Sequence, residues 1–214
     1  MVQRFISPVR ITAASIAVAS ALAGCASVDN TRGRPSVYED VGSTGRVQGV
    51  GAESQDIVSM TDTMMRDMLA EPRLAGRKVA PNIILDDEYF SNDSTCRADK
   101  KLITDRLRVN LNRAAQGRMV FIARHVSAMV DKERDLKRAG AVDSGTTSQV
   151  QLTKGADFRL SGHITSLDSL DPASGTKSRY TQVTFEMVDL ETGAIAWSNL
   201  YEMKKSAQDD IIYR

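Results

Sequence analysis

The chain has 214 residues, of which 42% are hydrophobic and 26% are charged, a composition typical of a globular protein and not of a disordered one. Its 28 basic and 27 acidic residues leave a net charge of +1, which argues against a nucleic-acid-binding protein held by bulk positive charge. Two cysteines and two histidines leave little room for a zinc site, because the first cysteine has another role.

The first 24 residues have the pattern of a signal peptide. Arg4 and Arg10 come before a small, apolar stretch from Ile11 to Ala23, and a charged segment followed by an apolar one is typical of secretory signals. As a helix, this stretch would cover about 20 Å, which is less than the roughly 30 Å hydrocarbon core of a bilayer. The pattern therefore predicts a cleaved signal rather than a permanent transmembrane helix.

The end of this segment resembles the lipobox of bacterial lipoproteins. Its residues are Leu22, Ala23, Gly24 and Cys25. The resemblance implies that a signal peptidase recognises the first three residues and cuts after Gly24, and that Cys25 becomes the lipid attachment site. The residue after the cysteine is Ala26 and not aspartate, which favours the outer membrane, with the domain facing the periplasm.

Residues 25–52 have the composition of a flexible, lipidated tether. The segment is rich in glycine, serine, threonine, arginine and aspartate and has no helical or strand periodicity, which is typical of a linker. It would span about 30 Å as a flexible coil and about 90 Å when fully extended. Residues 53–214 then form one globular domain. With Cys25 acylated, we interpret Cys96 as a buried thiol; an exposed thiol that dimerises the protein is the alternative.

Three helices are predicted from apolar residues that recur three or four positions apart. They cover about 54–70, 99–115 and 126–139. Their apolar stripes are Ile57, Met60, Met64 and Met68 in the first helix, Ile103, Leu107, Leu111 and Ala114 in the second, and Val126, Met129, Val130 and Leu136 in the third. A methionine stripe can form an adaptable binding groove, but we interpret this one as core.

Strands are predicted on both sides of the second helix and after the third. Short apolar runs at 82–85 and 119–122 predict two buried strands, and alternating segments within 158–164, 181–187 and 195–201 predict three more. The order predicts an α+β (α/β-like) fold, with about three helices packed on a mixed sheet. The acidic run 86–88 does not predict a cation site, because consecutive strand residues point to opposite faces; we interpret it as a solvated strand end.

Three segments of the predicted domain resemble the LpoB family, whose members are outer-membrane lipoproteins that activate penicillin-binding proteins. They are Leu102–Leu107, Gly117–Phe121 and the hairpin Asp189–Ser198. The hairpin resembles, more loosely, the amino-terminal domain of TolB and CsgG-type lipoproteins. The resemblance covers about residues 53–214 and implies a TolB-amino-terminal-domain-like fold. Known family members carry a long tether rich in proline and glutamine, whereas this tether is short and has one proline, Pro35.

The resemblance implies a non-enzymatic function. The chain would bind and activate a peptidoglycan synthase of the bifunctional penicillin-binding class from the periplasmic side. The alternative is a structural or assembly subunit of an envelope complex that uses a TolB/CsgG-like module. Synthase co-purification would favour the first function, and self-assembly into rings would favour the second.

Motifs for chemistry are absent from the sequence. It has no Gly-x-Ser-x-Gly elbow, HExxH, phosphate-binding loop or CxxC, so we expect no catalytic residue, metal, cofactor, small-molecule substrate or nucleic-acid partner. Functional contacts favour loops on a rigid scaffold, which directs attention to the polar loop 141–150 and the helix end before it. The candidate partner-binding residues there are Lys137, Arg138, Asp143, Thr146 and Thr147.

Overall fold

A computed structural model of the chain describes residues 36–45, 49–143 and 152–208. Its helices are α1 (Ser54–Ala70), α2 (Pro72–Ala75), α3 (Lys100–Ala114) and α4 (Ser127–Arg138), and a short 3-10 helix, Arg124–Val126, precedes α4. Its strands are β1 (Asn82–Ile84), β2 (Phe90–Asn92), β3 (Val120–Phe121), β4 (Phe158–Asp171), β5 (Thr176–Asp189) and β6 (Ile195–Gln208).

The strands form one mixed sheet in the order β3-β1-β4-β5-β6, and β2 pairs with β4 beside this path. The three short strands run parallel to their neighbours, whereas β4, β5 and β6 form an antiparallel meander of three 14-residue strands. This arrangement confirms the predicted fold class, a mixed sheet with helices. The sequence analysis did not predict β2 or α2.

Helices α1 and α3 cover one face of the sheet. The methionine stripe of α1 belongs to the core, as predicted: Met64 and Met68 are each 1% exposed. Leu107 of α3 and Phe185 of β5 are fully buried and belong to the same cluster. Alternate residues of β5 are buried from Arg179 to Met187, so the period of two in the sequence places one side of each long strand under the helices.

Trp197 of β6 packs beneath α1, as the sequence predicts for the last strand. It is 5% exposed, and its Nε1–H donates to Asp67 Oδ2 at 2.7 Å. Asn199 Nδ2 donates to the same oxygen at 2.7 Å. The alternation within 195–201 predicts Ile195 on the same face as Trp197, but Ile195 is 49% exposed, because a bulge interrupts the β5–β6 register next to it and turns the start of the strand.

Residues 49–52, at the end of the segment with tether composition, contact the domain. Val50 is 2% exposed, and the Ala52 N–H donates to Cys96 Sγ at 3.2 Å. Lys205 Nζ donates to the Gly51 carbonyl at 3.1 Å and to Asp56 Oδ2 at 2.5 Å. The packed domain therefore includes these residues, and Cys96 is a buried, free thiol, as interpreted from the sequence.

The interpretation of 86–88 as a solvated strand end is wrong for Asp86. This residue is 4% exposed, and Arg159 Nη2 donates to both of its carboxylate oxygens at 2.9 Å. Arg159 lies on β4 next to the end of β1, donates also to Glu88 and stacks over the Tyr89 ring at 4.4 Å. A partner from another strand therefore neutralises the buried carboxylate, which sequence spacing cannot reveal.

A second ion pair joins β4 and β5, where Asp168 lies opposite Arg179. Arg179 is 6% exposed and donates through Nε and Nη2 to the two oxygens of Asp168, at 2.6 and 2.9 Å. These hydrogen bonds lower the pKa of Asp168 to about 2, against an opposing effect of burial and with help from Thr95.

We expect this lowered pKa to appear in the pH dependence of stability. An aspartate in an unfolded chain titrates near pH 3.9, so the ion pair contributes fully above about pH 4 and its contribution is lost as the pH falls through 2. Asp168→Asn should reduce the change in the free energy of unfolding between these two pH values, as measured by urea denaturation. An unchanged slope in the variant would show that the pair does not stabilise the fold.

Candidate partner-binding surface

Two of the predicted partner-binding residues lie in the last turn of α4. Lys137 Nζ is 3.8 Å from a Glu133 carboxylate oxygen, and Arg138 Nη1 is 3.1 Å from an Asp135 oxygen. Both contacts are within the helix and exposed, and such pairs are weak. Asp143 follows the helix and is exposed, whereas Thr146 and Thr147 lie outside the described residues. The structure therefore groups two basic side chains that remain accessible to a partner.

Helix α4 forms where the sequence predicts a helix, but its apolar stripe does not enter the core. None of its residues is buried, and Met129 is 65% exposed. Polar contacts join this region to the chain before β4: Arg134 of α4 donates to Thr153, and Arg124 of the preceding 3-10 helix donates to the Lys154 carbonyl at 3.2 Å. Between β3 and α4 lies a groove of about 320 Å³.

The sequence analysis missed a second accessible surface, which we call the open sheet face. It consists of the side of β4, β5 and β6 that points away from α1 and α3, and none of its residues is buried. Its side chains are mostly neutral and polar: Ser161, His163, Thr165 and Leu167 on β4, Tyr180, Gln182, Thr184 and Glu186 on β5, and Ser198, Leu200, Glu202 and Lys204 on β6. In the sequence, the polar residues that alternate with apolar ones in each strand indicate this face.

The open sheet face carries interacting polar groups across its strands. Tyr180 donates to Glu202, and this hydrogen bond raises the pKa of the tyrosine. Among the described residues, no three histidine, cysteine or acidic side chains come together where they could hold a metal ion. Such a face can bind a protein through shape, hydrogen bonds and charge, as polar interfaces do.

No described helix is long and apolar enough to cross a membrane. His125 lies in the 3-10 helix and His163 on the open sheet face, so the two histidines belong to separate parts of the fold. The described structure thus offers two accessible surfaces, the end of α4 and the open sheet face.

Several solved structures are similar to the chain. The LpoB C-terminal domain from Escherichia coli is 14% identical over 67% of this chain and 94% of that chain, with a TM-score of 0.38. Lipoprotein GNA1162 from Neisseria meningitidis is 15% identical over 62% and 87%, with a TM-score of 0.35. A PelC dodecamer from Paraburkholderia phytofirmans is 17% identical over 63% and 72%, with a TM-score of 0.27.

No curated protein matches the sequence. The family model described as peptidoglycan-synthase activator LpoB matches residues 56–203. The match runs from the first turn of α1 almost to the end of β6 and covers more than half of the chain. The chain therefore belongs to the LpoB family of peptidoglycan-synthase activators.

Proposed function

We propose that this chain is a non-enzymatic lipoprotein that binds and activates a bifunctional penicillin-binding protein. The observation that carries this proposal is the family match over residues 56–203. The lipobox-like residues that end at Cys25, with Ala26 after them, support an anchor in the outer membrane from which the domain faces the periplasm. The partner is then a protein, and the chain needs no cofactor or small-molecule substrate of its own.

Activation without catalytic groups works through differential binding. The domain raises the activity of a synthase only if it binds the active state of that enzyme more tightly than the inactive state. Coupling free energies of this kind are typically 1–3 kcal/mol. A rigid body of sheet and helices suits this role, because its surface does not lose much conformational freedom on binding.

The docking surface that we propose is the end of α4 with the loop after it. It includes Lys137, Arg138 and Asp143, together with Thr146 and Thr147 of the loop. The support comes from α4, whose apolar side chains stay exposed beside charged ones. Exposed apolar groups that have polar neighbours are a common feature of protein interaction sites.

The test is a glycan-chain synthesis assay with bifunctional synthases purified from the same organism. Adding the purified mature chain should raise the rate on the order of fivefold or more, and the two proteins should bind at micromolar concentration. If no synthase binds and none accelerates, the proposal is wrong, and assembly of an envelope complex becomes the better hypothesis.

The docking surface is tested separately by charge reversal. Lys137→Glu with Arg138→Glu should weaken synthase binding about tenfold at low salt, because charges at an interface rim steer association. The matched control reverses two exposed basic residues of α3, Lys101→Glu with Arg113→Glu. Equal losses in the two double variants would contradict the surface but leave the activator function standing.

Lipid attachment at Cys25 has its own test. Cys25→Ser should leave a slower-migrating precursor and should abolish incorporation of radiolabelled palmitate, since the thiol is the nucleophile that receives the lipid. Without acyl chains, which contribute about 0.8 kcal/mol per buried CH₂, little protein should reach the outer membrane. Palmitate incorporation at the level of the unchanged protein would contradict the assignment, and Cys96→Ser serves as the matched control.

A further inference from the structure

Strand β6 forms one edge of the sheet along its whole length. It pairs with β5, and no other described strand lies beside it. With 14 residues it is far longer than β3, the two-residue strand at the opposite edge. Long edges present unpaired backbone N–H and C=O groups that can pair with another strand. The edge of β6 can therefore accept one further strand.

The hydrogen bonds of the sheet tell which residues of β6 present these groups. Gly162 N–H donates to the Tyr89 carbonyl, and the Ile164 carbonyl accepts from Asp93 N–H, so even-numbered residues of β4 point towards β2. Because backbone groups alternate between the two edges of a strand, the registers of the β4–β5 and β5–β6 pairs carry this alternation across the sheet to β6. Even-numbered residues of β6 then point to the free edge.

One further hydrogen bond agrees with this orientation. The N–H of Leu200 donates to the side-chain oxygen of its own neighbour, Asn199, at 2.7 Å, which is possible because that N–H is not used by β5. The same even-numbered residues carry their side chains on the open sheet face. Among them are Glu202 and Lys204, both exposed.

We propose that two copies of this chain associate through their β6 strands, antiparallel, about a two-fold axis at Met203. In this register Glu202 of each copy lies directly opposite Lys204 of the other, so the dimer gains two pairs of opposite charges. An axis at Glu202 or at Lys204 would instead place like charges opposite each other. The charge pattern therefore selects both the partner and the register.

The lysine at this edge does not oppose the pairing. Edge lysines ordinarily discourage strand addition, because a foreign strand offers no counter-charge. Here the glutamate two residues earlier supplies the counter-charge, and only an antiparallel second copy brings it into position. The edge thus rejects strands in general and accepts its own copy.

The position of α1 leaves room for the second copy. Side chains of α1, including Ile57 and Met60, line one small cavity together with Ile164 of β4, Val183 of β5 and Met203 of β6, so the helix lies over the strands next to the joint. Strands are about 4.8 Å apart, so a helix between the β5–β6 seam and β5 itself places the α1 axes of the two copies roughly 10–14 Å apart across the joint. This is at or beyond the distance at which helices pack, so the two helices have room.

The side of α1 that faces the joint is small and polar. Asp56, Ser59, Thr63 and Asp67 recur three and four positions apart and share one stripe of the helix, and Asp56 and Asp67 both reach β6. Ser59 and Thr63, between them, are exposed. No bulky side chain therefore stands in the way of the second α1.

A cysteine at the axis tests the geometry in the full-length, envelope-anchored chain. Met203→Cys should form a disulfide-linked dimer on mild oxidation, because residues at this kind of paired position have Cα atoms about 4.5 Å apart, within the range for a disulfide. Ala207→Cys is the matched control: it lies on the same strand and face but about 27 Å from its counterpart in this register, so it should stay monomeric on a non-reducing gel.

Charge exchange tests the register. In the Met203→Cys background, Glu202→Lys or Lys204→Glu alone should reduce the disulfide-linked dimer severalfold, and the two changes together should restore it. Equal dimer yields from Met203→Cys and Ala207→Cys would overturn the proposal, as would single charge changes without effect.

The unsubstituted chain gives a second readout that does not depend on how the cysteine variants fold. A carbodiimide joins a carboxylate to an amine in direct contact, so it should link Glu202 of one copy to Lys204 of the other. Mass spectrometry should then find two identical peptides that span residues 202–204 joined together, a product that only two chains can give. Glu202→Gln should remove this product, and its absence from the unsubstituted protein would contradict the dimer.

Discussion

Replacing Trp197 with alanine is expected to lower the free energy of unfolding by about 3–5 kcal/mol. The indole is 5% exposed and belongs to the main core cluster, so its removal leaves a large cavity under α1. The loss also leaves Asp67, which accepts from the indole N–H, with one fewer donor. Two costs therefore add at this position, lost packing and a weakened polar contact between helix and sheet.

Urea denaturation followed by far-UV circular dichroism measures this change, because Trp197 is the only tryptophan of the chain and its fluorescence disappears with it. Trp197→Phe is the matched control, since it keeps most of the apolar area and removes the N–H donor. We expect it to cost about 1–2 kcal/mol. A loss below about 1 kcal/mol for the alanine variant would contradict the core position.

Asp86→Ala is expected to cost about 3–5 kcal/mol, which is typical when one partner of a buried ion pair is removed. The variant leaves the guanidinium of Arg159, whose side chain is 15% exposed, without its buried counter-charge. Glu88 also accepts from Arg159, but its side chain is 61% exposed. Solvent screens that contact, so Glu88 cannot replace the missing carboxylate.

Two comparisons separate the buried contact from the exposed one. Glu88→Ala should cost less than about 1 kcal/mol, as exposed ion pairs do. The double variant Asp86→Leu with Arg159→Met should recover most of the loss, because an apolar pair of similar volume avoids burying an unpaired charge. Equal destabilisation by Asp86→Ala and Glu88→Ala in urea denaturation would contradict this account.

The parts of the fold that the sequence predicts well are those determined by local periodicity. The stripe of Met60, Met64 and Met68 repeats with the helical period and is buried in α1, and the alternation around Phe185 matches the buried side of β5. Gly193 closes the β5–β6 hairpin with a positive φ of 71°, a conformation for which glycine is a strong local signal. Local patterns suffice where one face of an element meets the core.

Tertiary partners account for what the sequence analysis missed. Strand β2 has three residues, too few for a period, and its place beside β4 depends on Gly162, where an added Cβ would lie 2.8 Å from the Phe90 ring. A glycine inside a strand pattern was the available signal for that close approach. Asp86 is buried because of Arg159, 73 positions later, and nothing local to 86–88 indicates it.

The candidate surfaces were less predictable than the core. The sequence indicates an amphipathic α4, but periodicity alone cannot tell whether Met129 and Leu136 enter the core or stay exposed, because both outcomes have the same pattern. Likewise, alternation shows that one side of β4, β5 and β6 is polar but not that this side is left uncovered. The packing of α1 and α3 on one face of the sheet, with α4 outside the core cluster, decides both.

The contacts of residues 49–52 have a mechanical consequence for a domain that is pulled from its amino-terminal side. Tension that enters at Gly49 meets its hydrogen bond to Glu53, the buried Val50 and the bond from Ala52 to Cys96. Lys205 of β6 also donates to the Gly51 carbonyl in the same segment. The first and last elements of the domain therefore both hold this segment, and its contacts must break one after another before tension reaches α1.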